Sequence, residues 1–194
     1  MGGFDALIIG SGPSLTGFDF TRLPPAVRFG ANKSAWLADC DVFVTIDHNF
    51  HRNMRAEIEA FTGERIVARA QDEHIPGVTY VKHGRGELLS DDPEILHGYN
   101  SGYAAMNLAY QRGYKRIGLL GFDFKWTDGR SHFHDGYAWQ NKDTPKYLSR
   151  WVVAFDRCLP QLAAKGVTVI NFVGPKGSGI TAFETRPLED LLCA

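Results

Sequence analysis

The sequence is poor in cysteine. Its 194 residues include three, Cys40, Cys158 and Cys193, an odd and widely spaced set that suggests neither a disulfide framework nor a Cys-based zinc site. An excess of one charge is also missing. Lys and Arg number 21 against 22 Asp and Glu, a net charge of −1, which argues against a nucleic-acid-binding surface. No apolar run approaches the about 18 residues that a membrane helix needs. The first residues lack the basic-then-apolar order of a secretory signal. A cytoplasmic protein with no transmembrane segment is therefore expected. No glycine loop closes in Gly-Lys-Ser/Thr, which excludes a P-loop. The dinucleotide fingerprint is incomplete too. The third glycine of G-x-G-x-x-G falls on Leu15, and the second apolar strand ends in Gly30-Ala31-Asn32 without the acid that would hold a ribose.

What remains has ordinary globular composition, 44% hydrophobic and 22% charged, and is long enough for one domain over residues 1–194. Ala6, Leu7, Ile8 and Ile9 form a short apolar run that stops abruptly in Gly10-Ser11-Gly12-Pro13-Ser14. This reads as a buried parallel strand entering a tight loop. The two glycines permit a sharp turn and a close approach to a ligand, and Ser11 and Ser14 offer hydroxyls. A phosphate or nucleotide cradle is the functional expectation. A branched side chain at Gly12 is then expected to fill the ligand's space while leaving the fold near native.

Further strands are expected at 27–32, 41–47, 65–68, 78–81, 117–121 and 167–173. Helical stretches lie between them at 33–38, 53–61 and 101–112. Another follows Thr144-Pro145, where Leu148, Trp151, Phe155, Leu159 and Leu162 recur at spacings of three and four and Pro160 divides the run. Residues 84–98 read as a polar loop. The alternation predicts an α/β fold. It is Rossmann-like and doubly wound, with a mostly parallel sheet, helices on both faces and a long lid loop, residues 125–142, after the strand ending at Gly121.

Ligands of such sheets bind outside the carboxyl ends of the strands. Those ends carry the first glycine loop, then Asn32, then Asp47, then Asp123, and finally Gly174 to Gly179. Asn100-Ser101-Gly102 opens a helix whose free N–H groups can receive a phosphate or carboxylate. Asp47 is read as an acceptor for a ribose hydroxyl. Asp123 is read as a metal ligand or as a group orienting a substrate hydroxyl. His132-Phe133-His134-Asp135 is the one local cluster of histidines, and a His-x-His spacing on a strand puts both imidazoles on one face. The general base is sought at His132 or His134, in a lid that folds back over the crevice, with Asp128 or Asp135 holding the tautomer. His48 and His51 compete for that role from the outer face of a helix. Trp126, Tyr137 and Trp139 can stack on a ring or plug the lid, and exposed aromatics allow a homo-oligomer. The Lys176-Gly177-Ser178-Gly179 stretch is expected to be a flexible surface loop.

Two blocks together carry a resemblance. The first is Ile8-Ile9-Gly10-Ser11-Gly12-Pro13-Ser14-Leu15. The second runs through Asn100-Ser101-Gly102-Tyr103-Ala104-Ala105, Gly113-Tyr114-Lys115-Arg116-Ile117 and Leu120-Gly121-Phe122-Asp123-Phe124. In this order they resemble the bacterial sialyltransferases of the Campylobacter lipooligosaccharide type, glycosyltransferase family 42. They also resemble the related DUF115 group, which holds 6-hydroxymethylpterin diphosphokinases and flagellin-glycosylation factors. The resemblance implies that Gly10, Gly12 and Asn32 bind the nucleotide of a CMP-type sugar donor, with Ser101 and Gly102 nearby. In the sialyltransferases the catalytic histidine lies just before the penultimate helix, a segment that matches about residues 140–144. No histidine stands there, and the nearest are His132 and His134. The expectation is a transferase that moves a glycosyl group from a CMP-type nucleotide sugar to the hydroxyl of a small-molecule or glycan acceptor, without a metal. The runner-up is a Mg²⁺-dependent diphosphokinase using ATP, with Asp47 and Asp123 on the metal. A third reading is a nucleotide-binding assembly protein without catalysis.

Overall fold

The computed structural model describes residues 3–68, 74–125, 132–134 and 145–193, with 145–149 and 193 described by their backbone alone. The elements run β1 (Ala6–Ile9), β2 (Val27–Ala31), α1 (Ser34–Leu37), β3 (Val42–Thr45), α2 (His48–Asn53), α3 (Arg55–Ala60), β4 (Glu64–Ala68), β5 (Thr79–Gly84) and β6 (Ile95–His97). They continue with α4 (Ser101–Gln111), β7 (Arg116–Leu120), α5 (Pro145–Arg157), α6 (Leu159–Ala164), β8 (Thr168–Val173) and β9 (Glu184–Pro187).

The nine strands seen among the described residues form one sheet in the order β6-β5-β4-β3-β2-β1-β7-β8-β9. Every pairing is parallel. The chain builds outward from β1 to β6, returns through α4, and restarts on the other side of β1 with β7. The fold is thus α/β and doubly wound in the Rossmann manner, with its topological switch between β1 and β7.

The residues of β1 explain its central place. All four are buried, and they alternate between two cores. Ala6 and Ile8 face the core under α4, α5 and α6. Leu7 and Ile9 face the core under α1, α2 and α3. A strand covered on both faces needs apolar residues at every position.

α4 is buried along its whole length from Ser101 to Tyr110. Its polar residues are therefore tied down. Asn107 Nδ2 donates to Ser90 O at 2.9 Å, and Asn107 Oδ1 accepts from the amides of Ser90 and His97. Gln111 Nε2 donates to three carbonyls of residues 90–95. Residues 84–98 accordingly are not the plain loop that their polarity suggests. They contain β6 and cover α4. Pro160 sits in the first turn of α6, and the expected division of the long helix falls at Cys158. β9 follows no apolar run and was not expected. It adds an edge strand whose residues are mostly exposed.

Candidate functional site

The first glycine loop leaves β1 at the switch point and is stitched to the end of β7. Gly10 N donates to Leu120 O and Gly12 N to Gly121 O, both at 2.8 Å. Ser14 N donates to Asp123 Oδ2 at 2.7 Å. Pro13 is buried and opens a 3₁₀ turn over residues 13–15. A Cβ on Gly12 would stand 2.5 Å from Asp123 Oδ2 and 2.6 Å from Gly121 O. Gly12 therefore lacks a side chain because the Asp123 carboxyl and the Gly121 carbonyl, just beyond β7, occupy the space. The expectation that a branched residue there would spare the fold is overturned.

Asp123 is the centre of this arrangement. It is 3% exposed. Its Oδ1 is buried without a hydrogen-bond partner. Burial raises its carboxyl above the ordinary range, and Ser14 and Lys125 pull in the other direction. The Ser14 hydroxyl lies close enough to exert that pull but is itself buried without a well-formed hydrogen bond. The backbone behind Asp123 is braced from β8. Gly179 N donates to Asp123 O at 2.6 Å, and Ser178 Oγ donates to Phe122 O at 2.5 Å. The stretch from Lys176 to Gly179 is thus a structural strut rather than a free surface loop. Phe124 next to it holds φ at +47°, a left-handed conformation unusual for a bulky residue. Its ring packs on Phe122, Trp151 and Phe155.

Asn32 follows β2 and holds φ at +56°. Its amide donates to Val44 O, while its side-chain Oδ1 is buried and unpartnered. Asn100 caps α4 by accepting from Tyr103 N at 2.9 Å, and its Nδ2 is likewise buried without a partner. Ser101 and Gly102 do other work. Ser101 Oγ accepts from Ile46 N, fixing the end of β3. A Cβ on Gly102 would meet the Phe122 ring at 2.8 Å. Asp47 caps α2, its Oδ1 accepting from the amides of Asn49 and Phe50 at 2.8 and 3.2 Å.

Residues 132–134 lie against the first loop, and the rest of the expected lid beyond Lys125 lies outside the described residues. Phe133 N donates to Ser11 O at 2.9 Å, and the Phe133 ring packs against Phe20. His132 and His134 stand side by side, ring centroids 5.1 Å apart, in a bend rather than a strand. Burial holds His132 below its ordinary value. Trp126, Asp128, Asp135, Tyr137, Trp139 and residues 140–144 lie outside the described residues. His51 is not on an outer face. It is buried, with Nε2 at 2.9 Å from Tyr80 Oη.

One residue of the site escaped the sequence reading. Ser34, fully buried at the start of α1, donates from Oγ to Gly10 O at 2.7 Å and lies 2.9 Å from Ser11 Oγ. Its only signal was its position two residues after Asn32. Among the described residues there is no group of three or more metal-ligating side chains, and no helix is long and apolar enough to cross a membrane. Compared with protein-family models, curated proteins and solved structures, the chain finds no match in any of the three.

Proposed function

We propose that this protein is a nucleotide-binding transferase of the sialyltransferase-like kind. It would move a glycosyl group from a CMP-type nucleotide sugar to the hydroxyl of a small-molecule or glycan acceptor. Asp123 carries the reading. A carboxylate withdrawn from water with one oxygen unbonded, at the switch point of a doubly wound sheet, is a group placed to meet a ligand. Asn32 Oδ1 and Asn100 Nδ2 add an acceptor and a donor that also lack partners, a mixed set suited to a nucleoside.

In the proposed reaction the acceptor oxygen attacks the anomeric carbon. The bond from that carbon to the donor's phosphate oxygen breaks, and its electron pair leaves with the nucleotide. The acceptor's proton passes to an imidazole of the His132–His134 pair. His132 suits the task because its lowered pKa keeps the ring neutral, and so able to accept a proton, at physiological pH. The diphosphokinase reading has less support. It needs Asp47 and Asp123 on one Mg²⁺, but Asp47 Oδ1 is engaged by two amides of α2 and Asp123 Oδ2 by Ser14.

A thermal-shift panel of CMP, CDP, UDP, ADP and ATP, each with and without Mg²⁺, tests the proposal. CMP is expected to raise the melting temperature without metal, by about 2.7 kcal/mol of added stability at a hundredfold excess over Kd. A response to ATP that requires Mg²⁺ would move the assignment to the kinase. Silence with all five would remove the nucleotide.

A further inference from the structure

We propose that β9 is a dimerisation strand. Its partner is β9 of a second copy of this chain, paired antiparallel about a two-fold axis at Thr185. The surface lies at the opposite edge of the sheet from β6 and is independent of the nucleotide reading.

The two edges of the sheet are finished differently. At β6 the edge is closed by α4, where Asn107 Oδ1 accepts from His97 N and Gln111 Nε2 donates to Ile95 O. At β9 the edge is open, and Glu184, Thr185 and Pro187 are exposed. β9 runs parallel to β8, with Thr185 beside Asn171 and Pro187 beside Val173. Successive residues of a strand turn their N–H and C=O groups to alternate sides. Proline has no N–H to give to β8, so Glu184 and Arg186 carry the ladder. Thr185 then directs both its N–H and its C=O to the open edge, where no described residue bonds to them.

Charge at an edge strand usually prevents pairing. Here the two charges differ in sign and stand symmetrically on either side of Thr185, on the face that carries Ile170 and Phe172. In an antiparallel pair about Thr185 the two threonines exchange both backbone hydrogen bonds. Glu184 then comes opposite the partner's Arg186, and Arg186 opposite the partner's Glu184. Opposite charges directly across a strand pair stabilise it, and like charges do the reverse. A shift of register by two residues sets two glutamates or two arginines face to face, and a parallel pair does both. The charges therefore select one register and one direction. Within one chain Arg186 Nε already donates to Glu184 Oε1 at 2.6 Å, so the dimer joins two such pairs in a ring of alternating sign. Pro187 ends the contact because it has no proton to donate. A strand this short gives a contact below the roughly 1,200 Å² of a standard stable interface, so the dimer is reversible and forms at high protein concentration.

Sedimentation equilibrium of the full chain, from micromolar to millimolar concentration, tests the proposal. Wild type is expected to pass reversibly from monomer to dimer. Glu184→Lys makes both edge charges positive, and Arg186→Glu makes both negative. Each variant alone should dimerise about tenfold more weakly or worse. An equimolar mixture of the two should recover the wild-type affinity as a heterodimer, since every facing pair is again opposite. Both substitutions fall on a solvent-accessible ion pair, where the fold tolerates change. The Thr185 amide is expected to exchange its hydrogen quickly in dilute protein and more slowly as the dimer forms. Four results would overturn the proposal: a monomer throughout the range, single variants that dimerise as well as wild type, weakened variants whose mixture fails to associate, or a dimer in which Thr185 exchanges at the monomer's rate.

Discussion

Asp123 and His132 respond to burial with opposite signs, and each sign makes a prediction. The folded chain holds the Asp123 proton more tightly than the unfolded chain does, since burial raises its carboxyl above 3.8. The stabilisation this gives is present at acid pH and lost as pH rises through the raised value, where the charge must be buried. Asp123→Asn removes that charge and keeps an acceptor for Ser14 N. At pH 7 it should melt a few degrees above wild type, about 2–4 °C for each kcal/mol in a domain of this size, while losing ligand. The gap should close in acid. A variant no more stable than wild type at pH 7 would contradict the account. For His132 the folded pKa lies below 6.5. Its contribution is present above that value and lost as pH falls through the lowered one. The acid limb of kcat should therefore lie below pH 6.5. His132→Ala or His134→Ala should lower kcat by roughly 10²–10⁴ and leave nucleotide affinity intact. Full turnover in both would place the base elsewhere.

The loop after β1 shows at the scale of an element why packing and function are hard to separate in a glycine. Its Gly12 faces Asp123 and Gly121 across less than 3 Å of Cβ space. Gly12→Ala should cost about 1–3 kcal/mol by overpacking, and Gly12→Val more, read as lower midpoints in urea. A Gly12→Val protein with native stability would show that the space is open. The same distinction sets how much the sequence revealed. β1 to β5, β7 and β8 were legible because runs of apolar and β-branched residues mark the strands of a parallel sheet. β6 and β9 were not. The three residues of β6 gain their role from α4 beneath them, and the mostly exposed residues of β9 leave no hydrophobic pattern. Asn32 and Asp123 stood out as polar residues directly after buried strands. Ser34 could not stand out, because its partner Gly10 O reaches it only once β1 and β2 are paired. At Asp47 and Ser101 a polar residue beside a strand end or helix start fits both a ligand contact and a backbone contact. The structure assigns both of them backbone contacts.

For the whole molecule, the order of strands sets a gradient of stability. β1 and β7 pair with neighbours on both sides and are covered on both faces, whereas β6 and β9 are edges. Hydrogen exchange should be slowest at Leu7, Ile8 and Leu119 and fastest at Leu96 and Thr185. Equal protection at centre and edge would deny the gradient. The switch point also has a history during synthesis. β1 is made first, but its second neighbour begins only at Arg116. At about 5–20 residues per second the ribosome needs on the order of 5–20 s to reach it. Until then the nascent chain holds at most six of the nine described strands, β1 to β6, with β1 as a bare edge of the kind that recruits other chains. A ligand cannot shelter that intermediate, because Asp123 and the braces around it have not yet been translated. Protection of the growing chain must come from the rate of translation or from a chaperone.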